Sequence, residues 1–214
     1  MKVTFSPHIK TNAVLESIAD DIDKNTTSSL FYSLAFLSQT PGAINDAINV
    51  KTNAANIFVY GISDKRNGGI IIQKPDGNLA PVFPKELTTK NTPEPFKSEP
   101  VGGGGNRMHH KFIVIDFDKP TARVYMGSYN FSKAADTSNG ENLLLIKDRR
   151  IAVSYMIEAL RIFDHYHFRT KQNDAEKGID KLELKKPPKN ANETAWWSQY
   201  YSVKNRIRDR QLFA

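Results

Sequence analysis

One nearly continuous apolar segment constrains the fold of this chain more than any other feature. Residues 29–38 read SLFYSLAFLS, a stretch of strand length that carries no charged residue. A strand with one covered face alternates apolar and polar side chains, whereas a strand covered on both faces is apolar almost throughout. The segment therefore predicts a central strand in a sheet that has helices on both sides.

The segments around this strand alternate between strand and helix patterns. KVTFSP (residues 2–7) and NIFVYGIS (residues 56–63) predict strands, and PGAINDAIN (residues 41–49) predicts a short helix. TNAVLESIADDID places four apolar residues at helical spacing behind a Thr-Asn pair that can begin a helix, namely Leu15, Ile18, Ala19 and Ile22. Alternating strands and helices predict an α/β fold.

The second half of the chain continues the strand patterns and then changes to a long helix. GGIIIQKPDGNLAPVF predicts a hairpin that turns at PDGN, and KFIVIDFD and ARVYMGS predict two strands joined at DKPT. ENLLLIK predicts one more strand. RRIAVSYMIEALRIFDHYHFRT predicts a long amphipathic helix. Its apolar stripe consists of Ala152, Met156, Ala159, Leu160 and Phe163.

We divide the chain into a domain of residues 1–170 and an extension of residues 171–214. Inside the domain, residues 84–106 are rich in Pro, Thr, Lys, Glu and Gly and end in VGGGGN. Long segments without a strand or helix pattern in compact domains are usually functional or disordered. We interpret this one as a flexible loop, either a flap over a site or a plain insertion.

The composition excludes several classes of protein. The chain has no cysteine, so disulfides and thiolate metal sites are excluded. No apolar run reaches the length of about 18 residues that crosses a membrane, and the N-terminus lacks the apolar core of a secretion signal, so we expect a cytoplasmic protein without a membrane partner. The net charge of +7 favours nucleic acid as a partner, although a solvated basic surface fits it equally.

The clearest candidate site is the stretch RMHHKFIVIDFD, residues 107–118, in which two histidines adjoin. Counted from His109, it gives the pattern HxKxxxxD, formed by His109, Lys111 and Asp116. Residues 109 and 111 of a strand project from one face, and residue 110 projects from the other. We therefore predict that His109 is functional and that His110 packs against the fold.

Two shorter motifs follow. GSYNFS places Ser128 and Asn130 after a strand, and NGENLLL places Glu141 before the next one. These residue types suit cleavage of a phosphodiester, because imidazole can attack phosphorus and imidazolium can protonate the leaving oxygen. Lys111, Asn130 and Ser128 could donate hydrogen bonds to the charged oxygens. Glu141 could accept a hydrogen bond from the far ring nitrogen of His109.

Together, HxKxxxxD, GSxN and the following acid resemble the motifs of the phospholipase D superfamily, in particular its single-motif nuclease branch, over roughly residues 1–165. The resemblance implies a mixed β-sheet flanked by helices on both faces. It also implies that His109 forms a covalent phosphohistidine that water resolves, that no metal or other cofactor takes part, and that Asp116 supports the site through hydrogen bonds.

The implied chemistry needs two histidines, and one motif supplies only one. His8 imitates the start of the motif, but position 15 carries leucine in place of the acid and no GSxN follows, so we interpret the match as chance. His165 and His167 lie on the predicted long helix without a matching lysine. The simplest interpretation is a homodimer that brings His109 and its symmetry mate to one site, as in the short nucleases that the chain resembles.

The C-terminal extension interleaves aromatic and basic residues in WWSQYYSVKNRIRDR, residues 196–210. Exposed Trp and Tyr can stack on bases while Lys and Arg contact phosphates. Alternatively, the aromatic residues pack a terminal helix onto the core, and both interpretations hold if the aromatic residues face inward and the basic residues face outward. The predicted nucleic-acid contacts are Lys204, Arg206, Arg208 and Arg210.

The sequence thus predicts a metal-independent phosphodiesterase that cleaves DNA or RNA as a homodimer. A phospholipid hydrolase or transferase with the same fold is one alternative, and it would need an apolar patch around the mouth of the site. A catalytically silent nucleic-acid-binding module is the other alternative. The presence of all the motif residues argues against a silent site.

Overall fold

The structure is a computed structural model, and it describes residues 1–9, 12–37, 42–65, 69–83, 87, 90, 92, 94, 96–98, 108–179 and 183–214. The strands and helices follow one another as β1 (Lys2–Phe5), α1 (Ala13–Asn25), β2 (Ser29–Leu34), α2 (Ala43–Thr52), β3 (Phe58–Lys65), β4 (Gly69–Gln73), β5 (Leu79–Val82), β6 (Lys111–Ile115), β7 (Arg123–Gly127), α3 (Lys133–Thr137), β8 (Asn142–Ile146), α4 (Arg149–Glu176), α5 (Gln199–Ser202) and α6 (Lys204–Leu212).

The strands form one sheet in the order β1-β8-β7-β6-β2-β3-β4-β5. β2 and β3 pair in parallel and all other neighbours in this order pair antiparallel, so the sheet is mixed. Every residue of β2 is buried, which confirms the prediction of a central strand covered on both faces.

Helices cover both faces of the sheet and divide the core in two. On one face, α1 and α2 pack against the strands through residues such as Ile18 and Ile48. On the other face, α4 packs through Ala159 and Phe163. The four predicted residues of α1 are its buried ones, and the predicted stripe of α4 is buried except for Leu160, which is partly buried. The predicted α/β fold with helices on both faces is confirmed.

Both predicted hairpins are present, because β4 pairs with β5 across PDGN and β6 pairs with β7 across DKPT. Most of the predicted loop at residues 84–106 lies outside the described residues. α4 continues through the predicted domain boundary at residue 170 and ends at Glu176. None of the helices in the described ranges is long and apolar enough to span a bilayer.

The strand directions bring several chain segments together at one end of the sheet. β1, β2 and β7 finish there, and β6 and β8 begin there, since Leu34 is opposite Lys111 and Gly127 is opposite Leu143. We call this the site end. We call the opposite end, where β2 and β3 begin and β6 finishes, the far end.

The C-terminal extension docks at the far end. Phe213 packs on Phe58 at the start of β3 and on Phe117 after β6, with ring centroids 5.3 and 5.7 Å away. The guanidinium of Arg208 lies over the Phe58 ring and donates to three backbone carbonyls, the shortest bond being 2.7 Å to Ile57. These contacts confirm a helical C-terminal extension and fix α6 against the sheet.

The predicted outward orientation of Arg208 is wrong, and of the two alternatives for the aromatic residues the exposed one is found. Arg208 faces inward, because the carbonyls before β3 and after β4 are free to accept its hydrogen bonds. Trp196, Trp197 and Tyr201 face outward, with 43%, 39% and 64% of their surface exposed. The aromatic contact of the extension with the sheet is instead made by Phe213, which packs on Phe58 and Phe117.

Candidate active site

His109 and Lys111 lie at the site end, where β6 begins. Lys111 is buried except for 8% of its surface, and its Nζ donates to the backbone carbonyl of His109 at 2.8 Å. The His109 imidazole is exposed, with the ring of Phe36 edge-on at 6.3 Å. The lysine therefore anchors the backbone of His109 while the ring stays open to a substrate.

His110 projects from the other face of the sheet, toward α4. Its ring lies 6.1 Å from that of Phe112. Partial burial lowers the pKa of His110, and the charges of Arg161 and Lys111 lower it further, against the opposite effect of Glu158. The prediction that His110 packs into the fold is wrong, because it precedes β6 and remains exposed.

Gly127 ends β7 with a backbone conformation that the GS motif requires. Its φ is +146°, and a Cβ at this position would lie 2.3 Å from the carbonyl oxygen of Asn142. Ser128 next donates its N–H to Asn142 Oδ1 at 3.3 Å and accepts from the N–H of Asn142 at 3.0 Å through its hydroxyl. The backbone N–H and the hydroxyl oxygen of Ser128 are thus both held by Asn142. The hydroxyl hydrogen remains able to donate.

Asn130 is held between two buried aromatic residues. Tyr129 and Phe131 are 1% and 4% exposed, and Phe131 has the left-handed φ of 51° that turns the chain into α3. The Asn130 amide nitrogen donates to Glu141 Oε1 at 3.4 Å. If the amide were flipped, its oxygen would face the carboxylate oxygen of Glu141, and both are acceptors. The hydrogen bond therefore fixes the amide nitrogen toward Glu141.

The predicted hydrogen bond between Glu141 and the ring of His109 is not formed within the described part of the chain. The carboxylate bonds to Asn130 and acts on Lys111 through its charge. Burial lowers the pKa of Lys111, and the negative charge of Glu141 opposes this shift. Glu141 therefore connects electrostatically to the β6 motif through the lysine.

Asp116 is not at the site end. It follows β6 at the far end, roughly 20 Å along the strand from His109 at about 3.3 Å per residue. Its fully buried carboxylate accepts hydrogen bonds from the backbone or hydroxyl groups of Thr27, Ser28 and Ser29. Several donors compensate the desolvation of a buried charge. The aspartate thus ties the start of β2 to the end of β6.

The N-terminal segment also reaches the site end, which no sequence pattern indicated. The N–H of Ser6 donates to the Glu141 carbonyl at 3.0 Å, and its hydroxyl accepts from the Glu141 N–H at 3.1 Å. His8 pairs with Asp136 at 2.9 Å. These partners are 135 and 128 residues apart in the chain, so only the fold reveals them.

The basic residues predicted to bind nucleic acid lie at the far end. Lys204, Arg206 and Arg210 are exposed on α6, and the two arginines lie over the rings of Tyr200 and Tyr201 at 5.6 and 4.6 Å. The length of the sheet separates this surface from His109. Among the described residues, no three His, Asp or Glu side chains form a group suited to a metal ion.

Several known proteins are similar to this chain in sequence. A family model described as "Cardiolipin synthase, PLD-like domain" matches residues 20–163. A phospholipase D of Rickettsia felis is 48% identical over 48 residues, which are 22% of each chain. A mitochondrial cardiolipin hydrolase of Xenopus tropicalis is 39% identical over 59 residues, or 28% of this chain and 26% of the relative. The matched stretches thus span about a quarter or less of these relatives.

Two solved structures are also similar. Nuc from Salmonella typhimurium, a phospholipase D family member, gives a TM-score of 0.42 at 20% identity, covering 80% of this chain and 93% of the other. NucT from Helicobacter pylori gives 0.47 at 21% identity, covering 76% and 94%. The family model spans most of the sheet and includes His109, Lys111, Ser128, Asn130 and Glu141. This chain therefore belongs to the phospholipase D superfamily.

Proposed function

We propose that this protein is a metal-independent phosphodiesterase that cleaves nucleic acid through a covalent phosphohistidine on His109. The observation that carries the proposal is the presence of an exposed imidazole, an ammonium group and an amide–carboxylate pair together at the site end. These groups are the exposed imidazole of His109, the ammonium of Lys111 and the pair of Asn130 and Glu141.

The proposed reaction has two steps. A ring nitrogen of His109 attacks phosphorus, the bond from phosphorus to the leaving oxygen breaks, and a second imidazolium gives that oxygen a proton. Water then attacks phosphorus, the phosphorus–nitrogen bond breaks, and the second imidazole takes a proton from the water. After the first step, the second histidine is neutral and can take the proton from water. After the second step, His109 is free and the second histidine is protonated again.

The charge on the non-bridging oxygens is proposed to be stabilised by Lys111 and Ser128. One hydrogen of the Lys111 ammonium is used by the His109 carbonyl, so two remain for a phosphate. Glu141 favours the charged form of Lys111 and orients Asn130. Asp116 is proposed to support this arrangement through the fold, since it lies at the far end.

The second histidine is proposed to be His109 of another copy of the chain. The other histidines are placed elsewhere. His110 faces α4, His8 is paired with a buried carboxylate, and His165 and His167 belong to α4. The exposed position of His109 allows a two-fold axis to bring two such rings to one phosphate.

Nucleic acid is the proposed substrate because of the charge of the chain and the surface of its extension. The net charge is +7, and neutralising phosphates releases counterions. Exposed Trp196 and Trp197 offer stacking surfaces beside Lys204, Arg206 and Arg210. Arg208 is not part of this proposed set, because its guanidinium already donates to backbone carbonyls of the fold.

A phospholipid substrate is the second candidate, and one cavity favours it. A cavity of about 370 Å³ lies between the beginnings of α1, α2 and α3. One of its lining residues, Phe131, follows Asn130 directly in the chain. Leu15, Ile44 and Phe131 form apolar parts of its wall, and the charged residues Lys133 and Glu16 also line it. An acyl chain could enter such a cavity, and the names of the family model and of the frog relative refer to cardiolipin.

The test is a panel of labelled single- and double-stranded DNA, RNA and cardiolipin vesicles, incubated in excess EDTA. We expect cleavage of a nucleic acid by the wild-type protein and none by His109→Ala. Hydrolysis of cardiolipin alone would establish the lipid alternative. Inactivity on every substrate would contradict the proposed function.

A further inference from the structure

The carboxylate of Asp136 in α3 connects two parts of the site in a way that the proposed mechanism does not use. Asp136 is fully buried, and its Oδ1 accepts from the Tyr129 hydroxyl at 2.8 Å. Burial and the bond to Asp136 raise the pKa of Tyr129, so the phenol stays protonated and is the donor. Nδ1 of His8 lies 2.9 Å from the same oxygen.

Both partners of Asp136 adjoin residues of the site. Tyr129 stands between Ser128 and Asn130. His8 follows two residues after Ser6, which bonds to both backbone groups of Glu141. The backbone N–H of His8 also donates to the Asp136 carbonyl at 2.8 Å.

Among the described residues, the His8 side chain hydrogen-bonds with Asp136 alone. Nδ1 reaches the carboxylate and also lies 3.2 Å from the carbonyl of Asp136, whereas Nε2 is buried without a partner in the described part of the chain. The ring is 20% exposed, so it is mostly enclosed by the fold.

We propose that His8 is a positioning residue, which fixes the Ser128–Asn130 segment and the Glu141 segment relative to each other through Asp136. This inference rests on the proposed function. A buried carboxylate needs its donors, so loss of His8 would release Asp136 and Tyr129 together. Displacement of a site group by about 1 Å can reduce a rate roughly 100-fold.

Three substitutions at one position test this inference. Asparagine carries an amide nitrogen near the position of Nδ1, whereas glutamine carries it near the position of Nε2. We expect His8→Ala and His8→Gln to lower kcat by roughly 10- to 100-fold per folded molecule with little change in KM. His8→Asn should recover kcat to within about threefold of wild type, because it restores the donor to Asp136. His167→Ala, at an exposed position of α4, is the control.

Amide NMR gives a readout that does not need activity. The resonances of Ser128, Asn130 and Glu141 should shift in His8→Ala and His8→Gln and return in His8→Asn. Unshifted resonances would overturn the inference, whatever the enzyme assay shows. Unchanged kcat in folded His8→Ala would overturn it as well. A wild-type protein without activity would contradict the proposed function alone, because the NMR comparison would still decide the positioning of the two segments.

Discussion

Glu141 favours the charged form of Lys111, and we expect this coupling to be visible in the pH dependence of catalysis. Burial lowers the pKa of Lys111, and Glu141 opposes the shift. Glu141→Gln removes the negative charge, so the lysine should lose its proton at a lower pH. We expect the alkaline limb of kcat/KM against pH to move to lower pH, while Glu193→Gln, at an exposed position of the extension, leaves it in place. An unmoved limb, or one at higher pH, would contradict the coupling.

The two adjacent histidines should differ in effect when replaced by alanine. His109→Ala should lower kcat by at least roughly 1,000-fold without a change in thermal unfolding, because the ring is exposed and reacts directly. His110→Ala should keep activity within about threefold of wild type, since the ring faces α4 and acts on no substrate. Equal losses of kcat in the two folded variants would show that the motif is counted from the wrong histidine.

The sequence could predict the residues of the site better than their bonds. Alternation of side chains along an extended segment assigned His109 and His110 to opposite faces, and the structure agrees, because His109 lies beside Phe36 and His110 beside Phe112. The bond of Glu141 to Asn130 was not predicted, because hydrogen bonds depend on the exact turn after β7. The pairing of His8 with Asp136 likewise needs β1 beside β8, which no local pattern specifies.

Between elements, an ion pair joins α1 to β7. Burial raises the pKa of Asp21, but hydrogen bonds from Arg123, Asn25 and Tyr125 more than offset this, so the pKa is lowered. Asp21 therefore stabilises the fold above the unfolded pKa of about 3.9 and loses this effect as pH falls. The Arg123 side chain is only 6% exposed, so loss of its partner leaves a buried guanidinium.

Asp21→Asn should lower the free energy of unfolding by about 2–3 kcal/mol at pH 7. The difference from wild type should begin to shrink below about pH 3.9, where Asp21 of the unfolded wild-type chain takes up a proton, and should be lost once pH falls through the lowered pKa of folded Asp21. Asp20→Asn is the matched control, because Asp20 is 66% exposed and its pair with Lys24 contributes little. Urea unfolding at several pH values checks this, and a difference that is as large at pH 2 as at pH 7 would contradict it.

The sequence was most informative about the positions of strands and helices, for physical reasons. The apolar pattern of β2 and the stripe of α1 follow directly from burial, which is why their positions were predicted. The orientation of α6 was not predictable, because the acceptors of Arg208 are carbonyls of Ala55, Ile57 and Pro75. A basic residue in a polar segment gives no sign that such carbonyls will meet it.

For the whole molecule, the extension should contribute to nucleic-acid affinity through charge. Replacing Lys204, Arg206 and Arg210 by alanine should reduce the slope of log affinity against log salt by about 2–3, at roughly 0.9 per phosphate contact on duplex DNA. The matched control replaces Lys24, Arg150 and Arg161, which are exposed but paired with carboxylates. An equal change of slope in both variants would indicate a general charge effect without a specific surface.

The proposed dimer makes catalysis depend on two chains. If one site uses His109 from both copies, a mixed dimer of wild type and His109→Ala has lost one of its two histidines. Activity after subunit exchange should then follow the square of the wild-type fraction. Activity that falls in simple proportion to this fraction would show that each chain acts alone.

The covalent intermediate is the central claim, and rapid chemical quench tests it most directly. A substrate carrying radioactive phosphate at the cleaved bond would be mixed with the wild-type protein in EDTA and stopped in alkali, where phosphohistidine persists. We predict transient label on the peptide that contains His109 and none on the His109→Ala protein. Turnover without label, or label on another residue, would contradict the account.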